Sequence, residues 1–311
     1  SLKNLYKKGD SIINIKYRLA LLSTALIWGL AFVAQRVSND TMGPFAFNAV
    51  RNLLGALSIL PVVFWRRENA LRPKPPAWLT LPRACIFLGL MLFGGTSCQQ
   101  IGMIYTTAGK ASCITSLYIV AVPIAGLLIR QPLRLLHVFG LGIAMLGLYL
   151  LAFKPEGGLN FGDFLELCGV FFWCLSIQGV GMFVKYYPGL VLSFCQLLIC
   201  ALCNFICVFF VGETLSWSML QQTAVPILYS GIMSSGVAYT LQILGQEHVP
   251  PTEASLLLSM EMVFGALSGY ILLDELMTTR ELLGCVIMAC GIFTAQLPSR
   301  IIWQRGPSTE G

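Results

Sequence analysis

Apolar runs of about twenty residues, separated by short polar stretches, set the rhythm of this 311-residue chain. A helix that crosses a bilayer needs about 20 mostly apolar residues, and a window of that length finds ten candidates. They lie near 18–38, 44–65, 83–105, 109–129, 134–153, 163–184, 189–211, 222–245, 252–273 and 281–298. The first run is too long for a secretory signal and lacks a small-residue cleavage site, so a retained span is expected rather than a cleaved leader. The fold class expected is an all-α integral membrane protein with ten transmembrane helices.

Composition agrees. The chain is 56% hydrophobic and 11% charged, against roughly 25% charged in a soluble domain. This excludes a cytosolic enzyme, a disordered chain and a nucleic-acid-binding module. The 11 cysteines fall almost wholly within apolar runs, where they read as small packing residues. Cys200, Cys203 and Cys207 share a helical face, but no His or carboxylate stands near them to complete a zinc site. No metal and no cofactor is expected.

The net charge of +6 resides in the connections. Lys3, Lys7, Lys8, Lys16, Arg18, Arg66, Arg67, Arg72, Lys74, Arg83, Arg130, Arg134, Lys185, Arg300 and Arg305 fall on one side of the ten-span topology. Arg36, Lys110, Lys154 and Arg280 fall on the other, so the bias is fifteen to four. Basic residues collect on the cytoplasmic side, which places both termini there in the cell membrane.

The halves of the chain resemble each other. Ala111-Ser112 recurs as Ala254-Ser255 and Ser116 as Ser259, each 143 residues on; Gly140 and Gly147 recur as Gly284 and Gly291 at 144, and Trp28 as Trp173 at 145. The organisation expected is a 1–17 cytoplasmic segment, a five-helix repeat over 18–153, a second over 163–298, and a 299–311 cytoplasmic tail. Five is odd, so the second repeat enters the membrane from the opposite side. Inverted repeats of this kind alternate access to a site near the midplane, which points to transport.

The stretch Tyr105-Thr-Thr-Ala-Gly-Lys-Ala-Ser112, followed by Leu117-Tyr118-Ile-Val and Pro123, resembles the first half of the EamA family, in the drug/metabolite transporter superfamily. Ala254-Ser-Leu-Leu-Leu-Ser-Met-Glu261, Asp274-Glu275-Leu276 and Arg280-Glu-Leu-Leu-Gly284 resemble the second half, and Pro44-Phe45 with Arg51 is similar to the opening of the family's second helix. The family usually has Pro after the intramembrane Glu. Met262 stands there instead, which removes the residue that would break the helix. The resemblance covers about 18–298 and implies a ten-helix carrier, commonly an exporter, of amino acids, metabolites or drugs.

Ionisable residues inside a span cost several kcal/mol, with estimates starting at about 2.5, and so face a cavity or a partner. Arg51 lies roughly 10 Å into its helix at 1.5 Å per residue, with Asn48 one turn before it. It either holds a substrate carboxylate or is bonded structurally. Glu261 lies close to the midplane, where it could bind a substrate ammonium, carry a coupling proton, or pair with Arg51. Gln99, Gln100, Gln178, Asn204 and Gln242 are cavity candidates or interhelical glue. Trp28, Tyr105, Tyr118, Trp173 and Tyr239 are candidate cavity aromatics, and Tyr118 matches Glu261 in the repeat. Gly265-x-x-x-Gly269, and Gly140 with Ala144 and Gly147, form close-approach faces, within a monomer or between subunits.

No HExxH or GxSxG motif is present, and Gly109-Lys110-Ala111-Ser112 lacks the first glycine of a P-loop, where Ile104 stands. No enzyme activity and no ATP-driven step is expected. The leading expectation is a secondary carrier for an amino acid or related metabolite, with the solute and the lipid bilayer as partners. A nucleotide-sugar-like antiporter is the alternative; it needs several basic groups for phosphates, and only Arg51 and Lys110 are at hand. A non-transporting membrane protein or integral-membrane enzyme would share the topology.

Overall fold

The computed structural model describes residues 2–65, 72–152, 160–272, 278–297 and 301–303. Arg66, Arg67, Lys154, the Asp274-Glu275-Leu276 segment, Arg300, Arg305 and most of the expected tail lie outside the described residues. The rest is almost wholly helical, apart from a short antiparallel pair of β1 (Leu133–Arg134) and β2 (Ile301–Trp303).

Eight apolar helical stretches are long enough to cross a membrane: Ile15–Ser38, Pro44–Trp65, Leu81–Tyr105, Ala108–Leu128, Phe161–Phe183, Gly189–Val211, Ala224–Gln246 and Pro251–Leu272. In order, these are most of α1 (Leu2–Ser38), then α2 (Pro44–Trp65), α3 (Leu81–Tyr105), and α4 (Ala108–Thr115) followed by α5 (Tyr118–Leu128). After α6 (Leu135–Ala152) come α7 (Phe161–Phe183) and α8 (Gly189–Val211). Beyond α9 (Trp217–Gln222), one rod is built of α10 (Ala224–Leu228), a π-helical segment (Tyr229–Ala238) and α11 (Tyr239–Gln246). Then follow α12 (Pro251–Leu258), α13 (Met260–Leu272) and α14 (Thr279–Ala295). The remaining two expected spans correspond to α6 and α14, which are shorter and pack on each other.

The ends are set by local chemistry. Asn160 with Asp163 starts α7, and Thr278 with Glu281 starts α14, each as a reciprocal capping box. Glu213, beyond the end of α8, accepts from the Phe45 and Ala46 amides at 3.3 and 2.7 Å and so caps α2 from the other half of the chain. The expected continuity past Met262 is not what is seen. The helix is interrupted at Ser259, as the α4–α5 helix is at Ser116 and Leu117, and both serines turn back to right-handed backbone without any proline. In the rod, the π segment frees carbonyls for side chains of α1: Thr24 donates to the Ala238 oxygen at 3.1 Å and Trp28 to the Ser234 oxygen at 3.2 Å. Such bulges gather at functional sites.

The apolar surface faces outward and the polar groups face in. Leu128 and Phe209 are each 81% exposed, whereas Asn48, Asn52, Gln100, Glu166 and Ser193 are fully buried. That is the arrangement a lipid solvent selects. The chain is therefore a multi-pass, all-α membrane protein.

Contacts exchange between the halves in a regular way. α1 packs on α12, α13 and the rod; α7 packs on α5, α4 and α3. α2 meets α8, the rod meets α2, α3 meets α8, and α6 meets α14. The glycine faces are used within the chain. A Cβ on Gly147 would stand 2.4 Å from the Met288 amide nitrogen, so α6 and α14 approach backbone to backbone.

Candidate functional site

A cavity enclosing about 440 Å³ of atom-free space, its mouth included, lies where α1, α2, α3, α4, α5, α7, the rod and α13 converge. Arg51, Gln99, Tyr118, Trp173, Tyr239, Gln242 and Glu261 all line it, so seven of the eight expected site residues meet in one place. Trp28 lines it too, with Phe32, Gln35, Thr115, Ile177 and Ser234.

Arg51 is 2% exposed. Its Nε donates to Asn48 Oδ1 at 2.9 Å, and Asn48 Nδ2 donates to the Thr96 carbonyl at 3.1 Å, which fixes the plane of the guanidinium. The guanidinium carbon lies 5.6 Å from the centre of the Phe47 ring. Its two terminal nitrogens make no hydrogen bond to the described residues. A guanidinium held at its base and unpaired at its fork is ready to take a carboxylate in two parallel bonds.

Glu261 is 3% exposed, its Oε1 lacks a hydrogen-bond partner among the described residues, and the Tyr118 hydroxyl is its neighbour. The alternative in which Glu261 pairs with Arg51 is not formed, and neither takes part in an ion pair among the described residues. The reason is positional. Arg51 is held toward Asn48 and α3, while Glu261 opens α13 beside Tyr118 of α5, so each charge faces the cavity instead of the other.

Aromatic rings build the walls between these charges. Trp173 stacks on Tyr239 with centroids 6.3 Å apart and planes 16° apart, and Trp28 is tilted against Tyr239 with centroids 4.8 Å apart. Gln99 donates to Gln35 Oε1 at 3.2 Å, and Gln242 donates to Gln246 Oε1 at 3.0 Å.

Gln178 is the expected site residue that falls elsewhere. Its amide donates to the Val122 carbonyl at 2.8 Å and accepts from Gln131 at 2.7 Å, which ties α7 to α5. Gln100 bonds Asn39 at 2.8 Å, and Asn204 bonds the Cys200 carbonyl one turn back at 2.8 Å, so both serve as internal glue. Tyr105 is 53% exposed and lies edge-on to Phe161. Lys110 lies away from the cavity lining, 2.5 Å from Asp163.

Two ion pairs flank the cavity. Arg18 of α1 meets Glu253 of α12 at 3.0 Å, and Lys110 of α4 meets Asp163 of α7 at 2.5 Å. Arg134 and His137 join Glu253 at 3.6 and 3.4 Å. Lys110 and Glu253 stand 143 positions apart, and Arg18 and Asp163 stand 145 apart. These are the offsets at which the halves of the sequence match, and the signs are reversed.

Sequence reasoning missed Glu166, Gln35, Phe32, Thr115 and Ser234. A signal for Glu166 was available: it lies seven residues, two helical turns, before Trp173 and so shares its face. It falls inside the expected 163–184 span, where nothing but that spacing marks it.

The EamA-like transporter family matches this chain twice, over residues 15–153 and again over 160–295. The chain belongs to that family. Among its relatives, an "Uncharacterized transporter" of Archaeoglobus fulgidus is 28% identical over 281 residues, covering 90% of this chain and 85% of its own length. "Uncharacterized transporter YoaV" of Bacillus subtilis is 22% identical and covers 90% of this chain and 96% of its own. A crystal structure at 18% identity shares the fold, with a TM-score of 0.73 over 90% of this chain and 96% of the other. This EamA-like protein is a membrane transporter, and the cavity is its candidate solute site.

Proposed function

We propose that this transporter is a secondary carrier that exports a small zwitterion, an amino acid or close metabolite, across the cytoplasmic membrane. The observation that carries the reading is that Arg51 and Glu261 line one aromatic cavity, neither in an ion pair among the described residues. Arg51 offers a fork for an α-carboxylate, and Glu261 with the ring faces offers a seat for an ammonium. A zwitterion compensates both buried charges at once, while an anion or a cation compensates only one. Among the described residues only Arg51 brings a cation to the lining, which disfavours a sugar nucleotide with its two phosphates.

Alternating access of two inverted repeats suits the exchange of contacts between the halves, each helix of one half meeting in the other what its counterpart meets in return. The ion pairs Arg18–Glu253 and Lys110–Asp163 then act as the cytoplasmic and external gates, closed together in an occluded state. The fifteen-to-four basic bias supports cytoplasmic termini, and the family resemblance supports export.

The test is thermal stabilisation of the purified protein across a panel of amino acids and related metabolites. A ligand present at 100 times its Kd stabilises the native state by about 2.7 kcal/mol. A zwitterion is expected to raise the melting temperature, and Arg51→Ala is expected to abolish the rise. Stabilisation by phosphorylated compounds alone, or a hit that Arg51→Ala retains in full, would overturn the reading.

A further inference from the structure

Behind the cavity wall stands a second buried carboxylate that solute binding does not use. Glu166 of α7 is fully buried. Its Oε2 accepts from the Thr115 hydroxyl at 3.1 Å, and its Oε1 lacks any hydrogen-bond partner among the described residues. Gly102 of α3 makes the room, since a Cβ there would stand 2.7 Å from that oxygen. Thr115 itself lines the cavity. One hydroxyl therefore separates Glu166 from the space in which the solute binds.

The groups around Glu166 are named by the elements packed on α7. From α3 comes Cys98; from α4, Thr115 and Lys110, whose ammonium is held by Asp163. The cavity contributes Tyr118 of α5, Tyr239 of α11 and Glu261 of α13. On α7 itself, Asp163 lies one turn earlier and Cys168 two residues later. Glu253 of α12 is at the far end of α7, where Pro251 rests on Gly181. Among the described residues no Lys, Arg or His forms an ion pair with Glu166. An ion buried without a counter-ion costs several kcal/mol, so the surroundings suit a carboxyl that carries a proton.

We infer that Glu166 is the binding site of a coupling proton, exchanged with the cavity through the Thr115 hydroxyl. In the loading step a cavity water or hydronium gives a proton to Thr115 Oγ1 while Thr115 gives its own to Glu166 Oε2. No other bond changes, and release runs the same two transfers backwards. On the other side of Glu166, one turn along α7, the Lys110–Asp163 pair leads toward the membrane surface, with the lysine side chain 33% exposed. Opening that pair joins the cavity to the external medium, so that Thr115 passes an outside proton to Glu166, and when the cavity opens inward the same two transfers run backwards. A proton bound from outside and released inward then drives solute outward. This rests on the transport reading of the cavity.

The first arm of the test uses the proton alone. Infrared difference spectra of the purified protein, taken across pH, report the C=O stretch of each carboxylic acid that gains or loses a proton. The wild type and Glu261→Gln are expected to show a titrating acid band that Glu166→Gln lacks. Thr115→Val is expected to keep the band but develop it at least tenfold more slowly after a pH jump. An unchanged set of bands in Glu166→Gln overturns the inference. The glutamine carbonyl can still accept from Thr115, so this variant keeps the native hydrogen bond.

The second arm uses proteoliposomes loaded with a radiolabelled amino-acid mixture. An inward proton gradient is expected to speed efflux in the wild type and to leave Glu166→Gln unaffected. Exchange of labelled for unlabelled amino acid moves no net proton and is expected to persist in Glu166→Gln. Loss of exchange as well, at an unchanged melting temperature, would overturn the coupling role in favour of a structural one. If no amino acid moves in the wild type, the zwitterion reading fails, and the spectra still decide whether Glu166 binds a proton.

Discussion

Arg51 is usable because Asn48 spends its side chain on it. The Nε–Oδ1 bond of 2.9 Å leaves the fork free while holding its plane, and hydrogen bonds to a charged group contribute about 1.5–3 kcal/mol. Asn48→Ala is therefore expected to keep the positive charge in the cavity but to weaken zwitterion binding by about tenfold or more, since 1.4 kcal/mol is a factor of ten. Titration calorimetry on the purified protein reads this directly, and an unchanged Kd would show that the guanidinium is held by something else. At this scale the sequence was informative where chemistry is rare. An arginine and a glutamate inside apolar runs are few enough to be found by eye, and the tyrosine matching Glu261 in the repeat lies beside it. Amides were ambiguous, because Gln178 and Gln242 look alike in a helix, and only the neighbours decide that one bonds Val122 while the other faces the cavity. Glu166 shares a helical face with Trp173, but its burial was not legible, because it depends on Gly102 of another helix giving it space.

Between elements, the closest approach is that of α6 and α14. An added methyl on Gly147 meets the Met288 amide nitrogen at 2.4 Å and the Gly284 carbonyl at 2.7 Å, both backbone atoms that cannot rotate away. Overpacking of this kind costs about 1–3 kcal/mol. Gly142 lies on the same helix, and a Cβ there meets nothing within 4 Å. Gly147→Ala is expected to lower the melting temperature in detergent, while Gly142→Ala leaves it unchanged or raises it slightly through better helix propensity. Equal effects of the two would mean that α6 and α14 do not pack in this way. The small-residue spacing of Gly140, Ala144 and Gly147 foretold a close contact, and the structure supplies the partner, Gly291 with Ala295 and Met288. The helix break at Ser259 was not foretold. Two serines at matching positions mark the breaks: Ser259 donates to the Leu256 carbonyl at 2.8 Å, and the Ser116 hydroxyl has no hydrogen-bond partner among the described residues.

The length and apolarity of the spans made the membrane class legible at the scale of the whole molecule, because hydrocarbon thickness dictates them. The two ion pairs proposed as gates were not legible, because Arg18 and Lys110 read as loop charge until the fold brings each to a carboxylate from a distant stretch. Glu253 and Asp163 are buried at 7% and 0% side-chain exposure, against 31% and 33% for their basic partners. Removing Lys110 therefore strands a buried carboxylate, while removing Arg18 leaves Glu253 only the longer contacts to Arg134 and His137 at 3.6 and 3.4 Å, and in both cases a conformation that opens that end to water relieves the carboxylate. If the two pairs close opposite ends, as proposed, their loss pulls in opposite directions. In a cysteine-free background carrying Ser234→Cys in the cavity, Arg18→Gln is expected to raise labelling by a membrane-impermeant maleimide from the cytoplasmic face. Lys110→Gln is expected to raise it from the external face. A bias of 1.4 kcal/mol shifts the ratio of two states tenfold, so even partial relief gives a several-fold change in labelling rate. Both variants labelling faster from the same face would refute the two-gate arrangement. Opposite responses would tie the exchange of charges between Arg18–Glu253 and Lys110–Asp163 to the two ends of one alternating cycle.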